Sequence, residues 1–569
     1  MINLVGDFET IRRGERMDVW LFDICDIDTL EHHTYTSLEA GLLEIPDEST
    51  IYFHNLKFDG SYLLDYFCRS GYSWVRESRD VKLPGQMNFL ITESGTWFCG
   101  KVFLFNGRRV TFRDSFKKIP LSAATIAESY KLPILKGEID YLKPRPEGYE
   151  PDEVELAYIH NDTEIIARAL AIHFAEGLME LTAPADAFKQ LKRTVCDSHR
   201  KLGIQFMRQH PEVEKFCRKA YCGGISWVNP EIREKEVGSG VVYDVNSLYP
   251  SVMLDHPYPV YWPTEMKEFS SIDDCLWIAS FYVDVRKHDG MLPTLRVNNA
   301  WVECEYQGVV HLTSVDFELL LSNYIIHEII FIEGYRWAHA DDRLFNEYVS
   351  YWGERKMQDK GGKRQIDKIM LNSSYGKFGL NPDRIRKYAK YDEKLRIVKY
   401  PPYRNETGDK DVEHDKCNNV AIAAFVTAYA RAELNKGVNA STGFCYCDTD
   451  SVHLATYRIP GTNKIEYPSF TGEVHPTKLG AWKLESQFMR AKYLRQKTYV
   501  EEERYGDFEV KACGMPQASK DYVRWDNLTD NFNVGASFPG KLLPQVRPGG
   551  IELVETNFTI QDRPRWGEF

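Results

Sequence analysis

The stretch FCYCDTDSVH, residues 444–453, limits what this chain can fold into more than any other. Its aromatic, cysteine and valine residues ask for burial, and its length suits a strand. Side chains on a strand alternate, so Asp448 and Asp450 share one face and Thr449 takes the other. Two buried carboxylates side by side repel and shift each other's pKa unless a cation lies between them. A divalent metal meets that demand; a solvated acidic turn is the alternative reading. A calcium loop fits poorly, because its third ligand position would fall on Val452 and its turn glycine on His453.

The chain has 569 residues, beyond the size at which single cores split into domains. No repeat or low-complexity tract is present, and no apolar run reaches the ~18 residues of a membrane helix. The start, MINLVGDFET, lacks the basic-then-apolar pattern of a secretory signal. Twelve cysteines include no CxxC pair, which points to reduced thiols in the cytoplasm rather than a zinc finger. A net charge of −12 and a pI near 5.8 argue against a phosphate-rich partner. Local patches argue the other way: RIRKYAKYDEKLRIVKY (384–400) and RAKYLRQKTY (490–499) interleave bases with tyrosines. Basic residues lining an interior channel beneath an acidic exterior would reconcile the two.

Other stretches supply what the two aspartates lack. YDVNSLYP puts Asp244 at the end of a second apolar strand that turns at Pro250. Asp244 and Asp450 could together hold two metal ions with Asp448 close by, an arrangement suited to phosphoryl transfer. In KRQIDKIMLNSSYGKFG, Lys368, Asn372 and Tyr375 fall on one helix face at i, i+4 and i+7, and Lys356 and Arg364 extend the basic side. A triphosphate needs such cations, and Tyr375 offers a surface for a base pair; an exposed lysine with a core tyrosine is the alternative.

A separate acidic set lies near the N-terminus. DFET carries Asp7 and Glu9 on one strand face, HNLKFDG carries Asp59 on a second strand, and the helix containing YIHND carries Tyr158 and Asp162 at i and i+4. Four carboxylates and a tyrosine supply what a two-metal nuclease needs: ligands for both ions and a hydroxyl to orient water. Between the sets, SGTWFCGKVFLFNGRRVTFRDS predicts a hairpin turning at its NG. A long helix is predicted from Pro151 and Asp152, and another near residues 418–436. LLPQVRPGGIELVE predicts a second hairpin, and NETGDKDVEHDK a protruding polar loop.

DFET, HNLKFDG and YIHND resemble the three exonuclease motifs of proofreading family B DNA polymerases. DVNSLYP, KIMLNSSYG and YCDTDS resemble that family's polymerase motifs A, B and C, and QKTY its K-x-Y. YCGGISW resembles the Y-x-G-G segment between the two domains, and LKGEIDY a lysine element of the protein-primed branch. The resemblance to that branch runs along nearly the whole chain.

It implies an α+β multidomain fold: an RNase H-like 3′–5′ exonuclease domain joined to a right hand of palm, fingers and thumb. The implied boundaries are exonuclease 1–182, palm 183–253 and 417–519, fingers 350–379 and thumb 520–569. Insertions at 254–349 and 380–416 would serve the terminal protein and the DNA ring. Each active site would hold two Mg²⁺ ions, with Mn²⁺ able to substitute. Asp244, Val245 and Asp450 would bind the polymerase ions with Asp448 in support, and Asp7, Glu9, Asp59 and Asp162 the exonuclease ions. Tyr158 would orient the attacking water, and Lys136 would assist.

Further roles are implied along the chain. Tyr249 would reject a 2′-hydroxyl, Lys356 and Lys368 would hold the triphosphate, and Asn372 and Tyr375 would meet the nascent pair. Lys497 and Tyr499 would grip the primer. Thr10, His54, Asn55, Phe58, Ser115 and Phe116 would hold the frayed end, partly by stacking. Tyr221, Gly223 and Gly224 would help DNA choose between the sites. The implied partners are primer-template DNA, dNTPs and a terminal protein as heterodimer, with no membrane and an otherwise monomeric chain. An RNA-templated polymerase and a catalytically dead DNA-binding factor are the rival readings. The acidic sets oppose the second, and the N-terminal set with bulky Tyr249 opposes a ribonucleotide-using form of the first.

Overall fold

The structure, a computed structural model, describes residues 2–141, 143–198, 209–269, 275–504, 506–525 and 530–562. The first strand, Ile2–Arg13, is covered on both faces. Phe8 packs edge-on against Phe22 and Phe53 on one side, and Val5 joins Ile165, Ile166 and Leu170 on the other. The strand runs parallel to Ser49–Phe53 and antiparallel to Arg16–Asp26, inside a ten-stranded mixed sheet. The predicted hairpin closes between Trp97–Phe103 and Arg109–Asp114, with Gly107 at φ 85° in its turn.

The long helix, Glu153–Ala175, starts where the sequence predicts. Asp152 and Glu155 form a reciprocal capping box, and the acidic first turn faces the positive end of the helix dipole. The helix lies over the Ile2–Arg13 and Arg16–Asp26 strands, which sets Tyr158 and Asp162 above Asp7.

A second sheet of five strands is antiparallel throughout. Its order is Trp482–Phe488, Gly240–Val245, Ser451–Ala455, Phe444–Asp448 and Ser226–Val228. The apolar helix Val420–Asn439, predicted near 418–436, is buried along most of its length and joins Val245, Val452, Trp352 and Met370 in the largest core. Residues 264–337 contribute a four-stranded sheet around Trp277, Phe281 and Val283.

Three local expectations are corrected. Pro250 does not end the Gly240–Val245 strand in a simple turn; it lies in the first turn of helix Leu248–Asp255, where a missing N–H costs nothing. Asp59 is not on a strand but in the first turn of helix Leu56–Arg69, after Asn55 takes a left-handed backbone at φ 81°. The polar segment 380–416 does more than protrude. Its Asp383–Lys387 strand pairs with Gln86–Thr92 and extends the N-terminal sheet, and Trp74 Nε1 donates to Tyr403 Oη at 2.6 Å.

The C-terminal hairpin, Ser537–Arg547 with Gly550–Thr559, reaches back to the same N-terminal unit. Met17 N–H donates to Pro548 O at 2.8 Å, and Tyr62 Oη donates to Ile551 O at 2.6 Å. Gly549 is required there: at φ 95° a Cβ would lie 1.9 Å from Met17 O. The tail QDRPRWGEF, for which the resemblance offers no counterpart, lies outside the described residues from 563 onward. Among the described residues no helix is long and apolar enough to cross a membrane.

Candidate active sites

The two aspartates of DTDS converge, though not by strand alternation. Asp448 closes strand Phe444–Asp448, and Thr449 and Asp450 make the tight turn into Ser451–Ala455. Thr449 holds φ 59° and donates its N–H to Ile225 O at 2.7 Å. The neighbouring Gly240–Val245 strand brings Asp244 opposite Ser451, and Val245 N–H donates to Asp450 O at 2.8 Å. Burial, Asp244 and Asp448 together push the Asp450 carboxyl up to about 7. These three carboxylates therefore share one low-dielectric corner at the end of the sheet.

Cations ring that corner. Lys497 Nζ lies 2.6 Å from both oxygens of Asp448. Lys483 Nζ lies 3.2 Å from Asp244 Oδ1. Lys356 Nζ donates to Ser247 Oγ at 2.8 Å, and burial together with Arg364, Lys368 and Lys483 depresses its pKa. Positive charge is thus concentrated next to the carboxylates, as a polyanionic ligand would require. Lys483 went unmarked in the sequence. It reaches the site because the Trp482–Phe488 strand pairs it with Asp244, about 240 positions away, and no local pattern carries that register.

The expected helix face is only partly right. Helix Gly361–Ser373 carries Lys368 and Asn372, both exposed, but ends before Tyr375, which starts a short 3₁₀ turn. The tighter turn swings the Tyr375 ring onto Tyr249, with centroids 4.5 Å apart and planes 29° apart. Tyr221 adjoins this pair and fits against Gly379, where a Cβ would lie 2.6 Å from its ring. Tyr499 packs against Tyr446 and His453.

Arg431 also went unmarked. Its side chain is fully buried and forks onto Asp316 at 2.8 and 2.9 Å, while Nη1 donates to the carbonyls of Cys222 and Gly223 at 2.7 and 2.9 Å. The 221–224 segment is thereby fixed from beneath. Gly224 abuts the aspartate turn: a Cβ would sit 2.9 Å from Thr449 Cγ2 and Oγ1.

The N-terminal carboxylates form a second, separate cage. Asp7 and Glu9 project from one strand, Asp59 from the Leu56–Arg69 helix and Asp162 from the Glu153–Ala175 helix. Burial and Asp162 push Asp7 up to about 7. Burial, Asp7 and Asp162 push Glu9 up to about 8. Burial and Asp7 also raise Asp59 well above the ordinary range. Lys136 Nζ reaches Asp162 Oδ2 at 2.6 Å, leaving Asp162 Oδ1 and Asp59 Oδ1 buried with no hydrogen-bond partner among the described residues. Orphaned buried carboxylate oxygens in an all-oxygen set suit hard divalent cations. Burial and Asp162 hold the Tyr158 phenol neutral. Its hydroxyl lies 2.9 Å from that of Tyr141, a neighbour the sequence reading did not single out.

Beside this cage, His54 Nδ1 meets Ser115 Oγ at 2.9 Å and His54 Nε2 meets Leu121 O at 2.8 Å. Asn55 N–H donates to Asp114 Oδ1 at 3.1 Å. The His54 ring stands edge-on to Phe116, and Phe58 packs against Tyr62, which hydrogen-bonds Thr10. Asn55 and Phe116 are exposed, Phe58 is half-buried and Ser115 is buried.

The cage predicts how stability depends on pH and metal. In the unfolded chain Asp7 and Glu9 ionise near their ordinary values of 3.8 and 4.5, whereas the metal-free folded chain retains those protons to about 7 and 8. The folded state binds more protons across that window, so stability is expected to fall as pH rises from about 4 to about 8. Adding Mg²⁺ should raise the melting temperature by several degrees at pH 8 and change it little at pH 5. Thermal melts with chelator and with Mg²⁺ at both pH values check this.

One mixed sheet with a four-carboxylate cage and one antiparallel sheet with a three-carboxylate corner define the class of protein. The chain belongs to the DNA polymerases of type B, organellar and viral, whose family model matches residues 43–149 and 142–466. Phage proteins stand among its individual relatives. The DNA polymerase of Bacillus phage Nf is 35% identical over 592 residues, covering 98% of this chain and 99% of that protein. That of Bacillus phage phi29 is 34% identical over 600 residues, covering 98% of each. That of Streptococcus phage Cp-1 is 30% identical over 597 residues, again covering 98% of each. Phi29 DNA polymerase complexed with primer-template DNA superposes with a TM-score of 0.85 at 32% identity, covering 98% of this chain and all of that one. Its ternary complex with primer-template DNA and incoming nucleotide gives 0.84.

Proposed function

We propose that this chain is a DNA-directed DNA polymerase with a 3′–5′ proofreading exonuclease, initiating from a terminal protein to copy a linear phage genome. The meeting of Asp244, Asp448 and Asp450 amid Lys356, Lys483 and Lys497 carries the reading. Full-length similarity to phage DNA polymerases supports it. On this reading the exonuclease occupies 1–182, the palm 183–253 and 417–519, the fingers 350–379 and the thumb 520–569. The 254–349 and 380–416 insertions meet the terminal protein and enclose the DNA, which supports strand displacement.

Mg²⁺ or Mn²⁺ ions, held by Asp244, Asp450 and the Val245 main chain at one site and by Asp7, Glu9, Asp59 and Asp162 at the other, would acidify the attacking oxygen and offset developing charge. The residues do the rest. Lys356, Lys368, Arg364 and Lys483 receive the triphosphate. The Tyr375 ring meets the nascent base pair with Asn372 alongside, and Tyr249 beneath the sugar leaves no room for a 2′-hydroxyl. Lys497, held on Asp448, and Tyr499 steady the primer so that its 3′-oxygen faces the α-phosphate; attack there releases pyrophosphate. At the second cage Tyr158 orients the attacking water and Lys136 tempers the charge on Asp162. Thr10, His54, Asn55, Phe58, Ser115 and Phe116 hold the frayed strand, and Tyr221, Gly223 and Gly224 lie on its route between sites.

The testing experiment is incubation of the full chain with a primed single-stranded circle, Mg²⁺ and dNTPs. Products longer than one circle are expected. No extension would refute the polymerase reading, and arrest at one circle would refute strand displacement. Gly224→Ala is expected to drive Thr449 and the aspartate turn out of place and to slow extension roughly 10- to 100-fold, since ångström-scale misplacement costs about that much. Steady-state extension rates check it.

A further inference from the structure

We propose that Asp23, His32 and His160 form a binding site for one divalent transition ion of the zinc class, distinct in chemistry from both carboxylate cages. Their donor atoms lie within 4.8 Å of one another. Asp23 sits on the Arg16–Asp26 strand directly opposite Asp7. His32 comes from the next strand, and His160 from the helix that crosses above both.

The site is built rather than incidental. The Asp23 carboxylate is fully buried, and its ion pairs among the described residues are with the two imidazoles alone: His32 Nδ1 at 2.9 Å and His160 Nε2 at 3.5 Å. Among the described residues no lysine or arginine answers its charge, which is costly for a carboxylate out of water. Thr34 Oγ1 donates to Asp23 Oδ1 at 2.9 Å and also lies 2.8 Å from His160 Nε2, where the ion would replace it, and Thr163 Oγ1 donates to Oδ2 at 2.7 Å. Such hydroxyl partners fix a ligating carboxylate in orientation.

The two imidazole rings face each other at 4.3 Å. Their side chains are 16% and 32% exposed, which leaves a path for an ion to enter. Glu164 stands at the other ring nitrogen of His32, outside the three-donor set. Arg168 holds its Oε1 at 2.6 Å, while its Oε2 lies 3.7 Å from His32 Nε2. Two imidazoles and a carboxylate favour zinc, cobalt or nickel over magnesium, whereas the Asp7 cage offers oxygens only. Occupancy would place positive charge behind Asp7.

The test uses the full chain, stripped with chelator and titrated with Co²⁺ alone, read by visible absorption. The expected result is one equivalent bound with low-symmetry d–d bands and no thiolate charge-transfer band. Zn²⁺ should displace it and excess Mg²⁺ should not. The bands should survive in the Asp7→Ala/Glu9→Ala variant and vanish in His160→Ala and His32→Gln. Thr34→Val keeps every donor and should weaken Co²⁺ binding about 10- to 100-fold; it also serves should a histidine variant fail to fold. Overturning results would be no band, a thiolate band, a band lost with Asp7 and Glu9 but kept without His160, or a Thr34→Val affinity equal to the parent's.

Discussion

Asp450→Ala is expected to reduce primer extension by about three orders of magnitude or more, roughly 4 kcal/mol of transition-state stabilisation. Of the three carboxylates at that corner, Asp448 is held by Lys497 and Asp244 by Lys483. Asp450 makes no ion pair among the described residues, and burial and both neighbours drive its pKa up. It is therefore the group whose charge most needs a bound cation, and its loss empties that position. The fold should survive, because the raised pKa means the ionised carboxylate disfavours the native state; above pH 7 the variant should melt no lower than the parent. End-trimming should persist, since the other cage stands on a different sheet. Extension of a labelled primer at equal protein concentration decides the matter. Activity within tenfold of the parent would end the polymerase assignment.

Replacing Asp7 and Glu9 together by Ala should abolish end-trimming, again by about three orders of magnitude, and spare synthesis. Both side chains come from one strand, and both pKa values are raised by burial and by repulsion within the cage. Removing them relieves that repulsion, so the metal-free variant should melt higher than the parent at pH 8. Degradation of a labelled single strand and extension of a matched primer, measured on the same preparation, separate the two activities. Loss of both would show that the chain has been divided wrongly.

Much of the candidate chemistry was legible because local periodicity places it. Asp7 and Glu9 share a strand face, and Tyr158 and Asp162 share a helix face. Asp152 with Glu155 announces the helix that carries them. Where expectation failed, local geometry departed from the period. Thr449 enters the left-handed region and turns DTDS into a hairpin tip, so its aspartates meet at a partly buried turn and not along one strand face. The Gly361–Ser373 helix stops short of Tyr375. Segment 380–416 reads as polar loop because its strands are short and its pairing partner lies some 290 positions earlier in the chain.

The sequence by itself determined the kinds of groups present and their local facing, since alternation on strands and the helical repeat follow from backbone geometry alone. It also carried the motif order from which family membership could be read. Only the tertiary structure decided which groups meet: Lys483 against Asp244, Arg431 beneath Cys222 and Gly223, His32 and His160 around Asp23. Such contacts depend on strand register and helix docking across tens to hundreds of residues. Those are chosen by burial of the whole core rather than by any short stretch of chain.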